Sequence, residues 1–247
     1  MEEILLKKRI SELRKRADFS YRTEFTDFLT LSEIETAKTV LNGANFMFYG
    51  GCPDTERQML CIAPEDVDIV PEMFPICGMK ISPKSIKFAS EFSHRDVLGS
   101  VLGLGLQRDV IGDIFIKEKE AYLFCAERIA VFLEEHLQEV RHTNVQCSVT
   151  DFSETEFSKE YQELSRTVSA IRIDTVAAAA FGISRSSAAS AVAGGKVFIN
   201  GREIVSPSAP VKEQDVISFR GLGKARLKEI GGLTKKGRIS VTLERYR

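Results

Sequence analysis

Residues 172–219 constrain the fold more than any other part of this 247-residue chain, because two short helical patterns and a hairpin signal follow one another there. An Ala-rich run up to Ala180 favours a helix, and Gly182 predicts its end. Ser184 is a good N-cap for a second helix, and the Gly-Gly pair at 194–195 would stop it. We therefore predict two short helices joined by a tight turn.

A β-hairpin is predicted next, since Asn200-Gly201 separates the runs 196–199 and 202–205. Asn-Gly readily adopts the two positive φ angles that a two-residue hairpin turn requires. A further strand is predicted at 216–219, after two prolines. The segment should thus form a pair of helices beside a small sheet.

Charge is distributed unevenly along the chain. Residues 166–247 contain 15 Lys and Arg against 6 Asp and Glu, a net charge of +9, whereas residues 1–165 contain 19 against 29, a net charge of −10. A basic surface attracts phosphate backbones through Coulomb attraction and counterion release, and an acidic surface is repelled by them. We expect the C-terminal segment to lead any encounter with nucleic acid.

The start of the second predicted helix carries the chemistry that a phosphate requires. A helix start presents free backbone N–H groups to an anion, and Ser-Arg-Ser-Ser at 184–187 adds a guanidinium and hydroxyls within one turn. Arg185 would lie near the positive end of the helix dipole. If Arg185 is an exposed residue, its replacement by Glu should leave stability almost unchanged.

This segment resembles the S4 RNA-binding domain. The resemblance rests on five motifs in order, which are Arg-Ile-Asp at 172–174, Ser-Arg-Ser at 184–186, Gly-Lys-Val at 195–197, Asn-Gly at 200–201 and Asp-Val-Ile at 215–217. It implies an RNA-facing surface formed by the two helices and the hairpin. The expected RNA contacts in this segment are Arg172, Ser184, Arg185, Ser186, Lys196, Asn200 and Arg202. Asp174 is expected to support Arg172 or to cap the first helix.

A β-hairpin extension is predicted beyond this segment, because residues 224–230 and 238–246 alternate between polar and apolar side chains. Lys224 and Arg226 are further expected RNA contacts. The basic tip at 235–238 is interpreted either as a solvated turn or as another contact with RNA.

Residues 1–71 are predicted to form a small N-terminal α+β unit. Apolar residues at helical spacing predict a helix over 1–16. Ser32 with Glu35 predicts a capping box for a second helix, which would reach Asn42. The strands predicted in this unit are 45–49 and 58–62.

Residues 72–152 are predicted to form a ferredoxin-like domain with the order β-α-β-β-α-β. The predicted elements are strand 76–81 with an extension at 85–88, helix 94–104, strands 110–116 and 120–125, helix 127–140 and strand 144–149. Open sheets of this kind bind RNA in several families, but the usual aromatic signature is absent, so a scaffold or partner-docking role is an alternative. The polar, acidic residues 153–165 are predicted to be a linker. The whole chain is predicted to be of the α+β class.

The combination of a C-terminal S4-like domain with three upstream motifs resembles the YlmH family. The motifs are Phe-Tyr-Gly-Gly at 48–51, Phe-Ser-His-Arg-Asp-Val-Leu-Gly at 92–99 and Gly-Asp-Ile at 112–114. The resemblance covers nearly the whole chain. It implies a ribosome-associated protein that binds rRNA and tRNA on the large ribosomal subunit, in rescue or quality control of stalled translation. Family members occur in cell-division gene clusters, which implies a weaker link with division.

No catalytic or metal-binding pattern emerges from the sequence. His94-Arg95-Asp96 resembles a kinase catalytic triplet, but no phosphate loop or metal-binding Asp-Phe-Gly accompanies it. Arg95, with Arg108, is instead expected to touch rRNA. The three histidines and five scattered cysteines lack zinc-ligand spacing, and such thiols are typical of a reduced cytoplasmic protein. We expect a cytoplasmic monomer that uses no cofactor or metal and has no membrane partner.

The main alternative is an RNA-modifying enzyme, of the pseudouridine synthase or methyltransferase type, that uses the S4-like domain to deliver RNA. Such synthases need a catalytic Asp in a Gly-Arg-Leu-Asp-like motif, and methyltransferases need a recognisable cofactor loop. The sequence shows neither motif. A pure protein adaptor is a third class, which sedimentation with ribosomes would distinguish from an RNA binder. We predict a non-catalytic RNA-binding protein.

Overall fold

The computed structural model describes residues 2–85, 91–151 and 161–246, which belong to two compact units. The first unit is Met1–Ser158 and the second is Lys159–Arg247. Both contain helices and sheets, so the predicted α+β class is confirmed.

The described part of the first unit contains four α-helices and eight strands. The helices are α1 (Glu2–Ser20), α2 (Leu31–Lys38), α3 (His94–Gly103) and α4 (Ala130–His136). The strands are β1 (Glu24–Phe25), β2 (Asn45–Tyr49), β3 (Met59–Ala63), β4 (Ile76–Pro83), β5 (Ile111–Lys117), β6 (Glu120–Ala126), β7 (Glu139–Val140) and β8 (Thr143–Val149).

Helices α1 and α2 pack on a three-stranded antiparallel sheet with the order β1-β3-β2. Ile10 and Leu13 of α1 and Ile34 of α2 share one buried cluster with Leu60 and Ile62 of β3. Removal of these apolar side chains from water is the main force that holds the two helices to the sheet.

The start of α2 differs from the prediction. The Thr30 hydroxyl accepts a hydrogen bond from the Glu33 amide at 3.4 Å, and the Thr30 amide donates to Glu33 Oε2 at 2.7 Å. The capping box predicted from Ser32 and Glu35 was therefore wrong by two residues, because Thr-Leu-Ser-Glu offers the same spacing one half-turn earlier. The helix also ends at Lys38, before its predicted end.

The central sheet has five antiparallel strands with the order β5-β6-β4-β8-β7. Strand β4 lies between β6 and β8, and α3 and α4 connect the strands as the split β-α-β-β-α-β arrangement requires. The ferredoxin-like prediction is confirmed, with β7 as an additional edge strand.

The helix predicted over 127–140 is shorter in the structure. A single 3-10 turn at Glu127–Ile129 precedes α4, which ends at His136. Leu137 is buried, and the chain then reverses at Arg141, where φ is 56°, to pair β7 with β8. The residues expected in the last helical turn thus form an edge strand.

One core joins the N-terminal sheet to the central sheet. Phe28 and Met59 lie in the same buried cluster as Met79 and Leu123 of the central strands. The boundary predicted near Pro71 therefore falls inside one compact unit.

Two glycines of the upstream motifs lie where these two sheets meet. A Cβ at Gly51, whose φ is +103°, would lie 2.3 Å from the Phe124 side chain, and a Cβ at Gly112 would lie 2.8 Å from that of Phe28. No side chain fits at either position. Asp113 accepts hydrogen bonds from two successive backbone amides at 2.8 and 3.0 Å. The motifs at 48–51 and 112–114 thus serve the packing of the first unit.

The described part of the second unit contains two helices and six strands. The helices are α5 (Ile173–Phe181) and α6 (Arg185–Ala193). The strands are β9 (Tyr161–Val168), β10 (Val197–Ile199), β11 (Arg202–Glu203), β12 (Val216–Phe219), β13 (Gly223–Leu233) and β14 (Ile239–Tyr246). They form one antiparallel sheet with the order β11-β10-β12-β13-β14-β9.

Both helices bury their apolar side chains against this sheet. Val176 of α5 and Ala188 and Val192 of α6 are fully buried in one cluster with Ile217 and Leu227 of the sheet. The predicted helix pair, the Asn-Gly hairpin and the β-hairpin extension are confirmed.

Strand β9 was not predicted. Residues 161–165, expected in the linker over 153–165, form the first part of this strand. The linker prediction failed there because the strand lies at the edge of the sheet and is largely polar. Residues 152–160 lie outside the described part of the chain. So do residues 86–88 of the strand extension predicted at 85–88.

Within the three described ranges, no single helix has both the length and the apolar composition to cross a membrane. Helices α5 and α6 pass that test only as a pair, bent by 119°.

Candidate nucleic-acid interface

The turn between α5 and α6 exposes the start of α6. Gly182 ends α5 in the left-handed region, with φ at 68°, and Ser184 caps α6 by accepting a hydrogen bond from the Ser187 amide at 3.1 Å. The Ser184 hydroxyl also lies 2.9 Å from that of Ser186 and 2.7 Å from that of Ser187. Backbone amides and hydroxyls therefore meet at one solvent-exposed helix end, which suits an anion.

A buried carboxylate holds two arginines at this helix end. Oδ2 of Asp174 accepts hydrogen bonds from Arg172 Nη2 at 3.1 Å and from Arg185 Nε at 2.8 Å. The Asp174 side chain is 3% exposed, whereas those of Arg172 and Arg185 are 37% and 56% exposed. The expectation that Asp174 supports Arg172 is confirmed, and the same carboxylate also supports Arg185.

One negative charge is thus shared by two positive charges. Asp174 Oδ1 and Arg172 Nε are both buried and have no hydrogen-bond partner among the described residues. A buried carboxylate is stable only with compensating charges, so Asp174 depends on both arginines. The cluster keeps a net positive charge at the surface.

The tight hairpin turn is held by Asn200. Asn200 and Gly201 have φ angles of 49° and 77°, as a type I′ turn requires. The Asn200 side chain donates to Asp215 Oδ1 and accepts from the Val216 amide, both at 2.8 Å. Its amide group therefore fixes the turn against β12, a structural role that sequence reasoning did not foresee beside the expected RNA contact.

The hairpin carries exposed basic residues. Lys196, directly before β10, is exposed, and its ammonium group has no partner among the described residues. Arg202 is exposed on β11. Arg220 was missed by the sequence reading. Its amide donates to the Lys196 carbonyl at 2.9 Å, and its guanidinium lies 4.9 Å from the ring centroid of Phe198.

Arg226 forms an ion pair within the sheet. It donates to Glu244 Oε2 through Nε at 2.9 Å and Nη2 at 2.7 Å, and its side chain is 19% exposed. Burial alone would raise the pKa of Glu244, but hydrogen bonds from Lys228 and Arg226 outweigh it and lower that pKa. This geometry argues against Arg226 as an RNA contact. Lys224, two residues earlier on β13, is half-buried.

Two arginines of the first unit, which were expected to touch rRNA, differ in exposure and in hydrogen bonding. Arg95 is exposed in the first turn of α3, next to Asp96, which forms a capping box with Ser93. Arg108 is half-buried, donates to the backbone carbonyls of its own unit, and its burial lowers its pKa to about 10. Arg95 is available to a ligand, and Arg108 has a structural role.

The central sheet carries half-buried aromatic residues that are not adjacent in the sequence. Phe115 on β5 lies opposite Tyr122 on β6, and Tyr122 lies opposite Lys80 on β4. Lys80 and Tyr122 both contact the Glu120 carboxylate, at 2.9 and 2.6 Å. Two rings and an ammonium group therefore lie side by side, although no contiguous aromatic motif exists.

The described ranges offer neither a metal site nor an activated thiol. They contain no group of three or more His, Cys, Asp or Glu residues that could hold a metal ion. All five cysteines are free, and burial raises the pKa of Cys61 to about 11 and that of Cys147 to about 12. The Cys61 and Cys147 thiols therefore lack the lowered pKa of a nucleophile.

Comparisons with known proteins agree with this architecture. Residues 72–154 match the family model described as "Putative RNA-binding domain in YlmH", and residues 171–217 match the S4 domain. The solved structure of "Cell division protein ylmH from Streptococcus pneumoniae" matches with a TM-score of 0.56 at 18% identity, over 63% of this chain and 94% of that chain. This likeness shows a shared fold.

A relative from Bacillus subtilis (strain 168) extends the match to nearly full length. "Ribosome-associated protein quality control protein P2" is 31% identical over 242 residues, which are 96% of this chain and 92% of the relative. Identity at this level over almost the whole of both chains, together with the two matched domains, shows that this chain belongs to the YlmH family.

Proposed function

We propose that this protein binds rRNA and tRNA on the large ribosomal subunit and acts, without chemistry on the RNA, in rescue or quality control of stalled translation. One observation carries the proposal. The buried Asp174 fixes Arg172 and Arg185 beside the serine-capped start of α6. A phosphate at this position would meet two guanidinium groups, hydroxyls and free backbone N–H groups together.

Charge supports the same assignment. Residues 166–247 carry a net charge of +9, against −10 for residues 1–165. Long-range attraction would orient the second unit toward a phosphate backbone, and the acidic first unit would be held away from it. Arg172, Ser184, Arg185, Ser186, Lys196, Arg202 and Lys224 are the proposed RNA contacts, with Arg220 as an addition from the structure. Arg95 is a separate proposed contact in the first unit.

The proposed association with the ribosome is based on the relative from Bacillus subtilis. The name of the Bacillus subtilis protein describes a ribosome-associated quality control protein, and the two chains align over nearly their whole lengths. We infer that this protein works in the cytoplasm as a monomer on the same kind of particle. A role in cell division, which the name of the Streptococcus pneumoniae protein suggests, is secondary in this proposal.

The test is co-sedimentation of the full-length protein with large ribosomal subunits in a sucrose gradient. Lys196→Glu reverses one exposed charge among the proposed RNA contacts of the second unit. Lys15→Glu makes the same change on α1 and serves as a matched control. Both variants should melt within a few degrees of the wild type, since exposed substitutions usually cost no more than about 0.5 kcal/mol. The Lys196→Glu protein should be lost from the gradient fractions that contain large subunits, whereas the Lys15→Glu protein should remain in them. Equal sedimentation of the two variants would contradict the proposal.

A further inference from the structure

A cleft of about 510 Å³ lies in the second unit, beside the turn between α5 and α6 and along β9. It is lined by Arg166 of β9, Arg185 of α6 and Arg238, which directly precedes β14. None of the described residues that line it is acidic. Arg166 and Arg238 lie outside residues 171–217 that match the S4 domain, so most of this positive charge belongs to the flanking strands.

Arg166 and Arg238 have only neutral hydrogen-bond partners among the described residues. Arg238 donates to Thr167 through Nε to Oγ1 at 3.0 Å and through Nη2 to the carbonyl at 2.6 Å. Arg166 donates through Nη1 to the Ser165 carbonyl at 3.1 Å. These partners are neutral, so they orient the guanidinium groups without cancelling their charge.

Apart from the arginines, the cleft is lined by the polar residues Thr167, Ser169 and Thr175 and by an apolar patch. Ala178 and Ala179 on α5 and Ile183 in the following turn are half-buried and line it, while Gly182 contributes no side chain. Small side chains of this kind leave a shallow apolar floor next to the arginines. A volume of 510 Å³ lies within the range of about 300 to 1,000 Å³ that is usual for clefts that hold one small ligand.

We propose that this cleft takes one unstacked nucleotide of the bound RNA, with its phosphate against the arginines and its base on the floor formed by Ala178, Ala179 and Ile183. The proposal rests on the proposed RNA-binding function and extends the RNA contact from Arg185 to Arg166 and Arg238, which lie outside residues 171–217. The guanidinium fork matches the geometry of phosphate oxygens, and a base that leaves the stack is held between aromatic or apolar side chains. An acidic peptide would use the arginines but would not need the floor.

The experiment measures binding of the full-length protein to large-subunit rRNA transcribed in vitro, by filter binding over a range of salt concentrations. Arg166→Ala/Arg238→Ala removes two charges from the cleft. Lys8→Ala/Lys15→Ala removes two charges from α1 and serves as the matched control, since both lysines are exposed and line no part of the cleft. Melting temperatures exclude unfolding as a cause.

The cleft variant should bind rRNA roughly tenfold more weakly than the control, as expected for lost charge-assisted contacts. The slope of log K against log salt should fall by about 1.4 to 1.8 if both arginines contact phosphates. Ala179→Phe, which fills the floor and keeps every charge, should also weaken binding.

Three results would overturn the proposal. Binding by both cleft variants equal to the control, while Lys196→Glu still weakens binding, would remove the nucleotide site and leave the RNA-binding function intact. Saturation of the cleft by free uridine or adenosine 5′-monophosphate that rRNA cannot displace would identify a free nucleotide as the ligand. Competition by polyglutamate that is lost in Arg166→Ala/Arg238→Ala but is unchanged in Ala179→Phe would identify an acidic peptide as the ligand. Failure of the wild type to bind rRNA would instead refute the proposed function.

Discussion

Arg185 Nε donates to Oδ2 of Asp174 at 2.8 Å, and this contact joins the start of α6 to the start of α5 across eleven positions of the sequence. Asp174 is 2% exposed, so its charge depends on the arginines that cover it. The same guanidinium that is proposed to meet RNA therefore also stabilises the fold. A loss of RNA binding at this position has to be separated from a loss of stability.

Arg185→Glu should destabilise the protein, contrary to the expectation that an exposed position tolerates the change. The new carboxylate would face the buried Asp174, and loss of a hydrogen bond to a charged group costs about 1.5 to 3 kcal/mol. Because Arg172 remains, the lower end of that range is expected. Denaturant unfolding measures the change, with Lys196→Glu as the control that should stay within about 0.5 kcal/mol of the wild type. An unfolding curve for Arg185→Glu equal to that of the wild type would refute the structural role of the pair.

The isolated second unit should carry most of the RNA affinity. A fragment of residues 159–247 should bind structured RNA, and its binding should weaken steeply as salt rises, because phosphate contacts release counterions. Residues 1–158 should bind far more weakly. A salt titration of both fragments is the measurement, and equal affinity of the two would contradict this division. A fragment that starts at residue 166 should be less stable, since it lacks five residues of β9.

Stability should fall in acid partly through Glu244. Its pKa lies below the usual 4.5 in the folded protein because Lys228 and Arg226 hydrogen-bond to it. The stabilisation is therefore complete above about pH 4.5 and disappears as the pH falls through the lowered pKa. Glu244→Gln should melt well below the wild type at pH 7, and the difference should shrink toward pH 3. A constant difference across this range would show that the ion pairs are not the cause.

Asn200→Ala should affect stability more than RNA binding. The substitution leaves Asp215 Oδ1 and the Val216 amide without the Asn200 side chain as a partner, which costs about 1 to 3 kcal/mol. Denaturant unfolding should show this loss, while rRNA binding under strongly native conditions should change by less than about threefold. A large loss of affinity in the folded variant would restore Asn200 as an RNA contact.

RNA incubated with the purified protein should remain chemically unchanged. Neither a zinc-type cluster nor an activated thiol is present in the described ranges, and the proposed contacts are all binding groups. Mass mapping of rRNA and tRNA after single-turnover incubation is the measurement. A reproducible modified nucleotide, lost when one acidic or thiol residue is replaced, would bring back the RNA-modifying enzyme.

Local signals made the second unit largely predictable. The Ser184 cap, the left-handed Gly182 and the Asn-Gly turn each depend on neighbouring residues, so the sequence alone indicated them. The Asp174–Arg185 contact depends on how two helices cross, which no short motif encodes. The expectation that Arg185→Glu leaves stability almost unchanged missed this ion pair, although Arg185 is exposed as expected.

Other misses have equally physical causes. Strand β9 is polar because it is an edge strand, and its pattern did not differ from that of a linker. Phe115 and Tyr122 become neighbours only through strand register, so a search for a contiguous aromatic motif could not find them. Arg108 is a basic residue, but its guanidinium group donates hydrogen bonds to backbone carbonyls of its own unit.

Strand β9 also determines when the RNA-binding unit can form during synthesis. It is the first strand of that unit, and its neighbour in the sheet is β14, the last, to which it pairs through eight residues. A ribosome releases the N-terminal part of a chain first, so β9 keeps an unpaired edge until β14 has emerged. Nascent chains that stop before residue 239 lack that partner. The sheet of the basic unit is therefore complete only in chains that include β14, and a nascent copy that stops earlier exposes a strand edge that can pair with another chain.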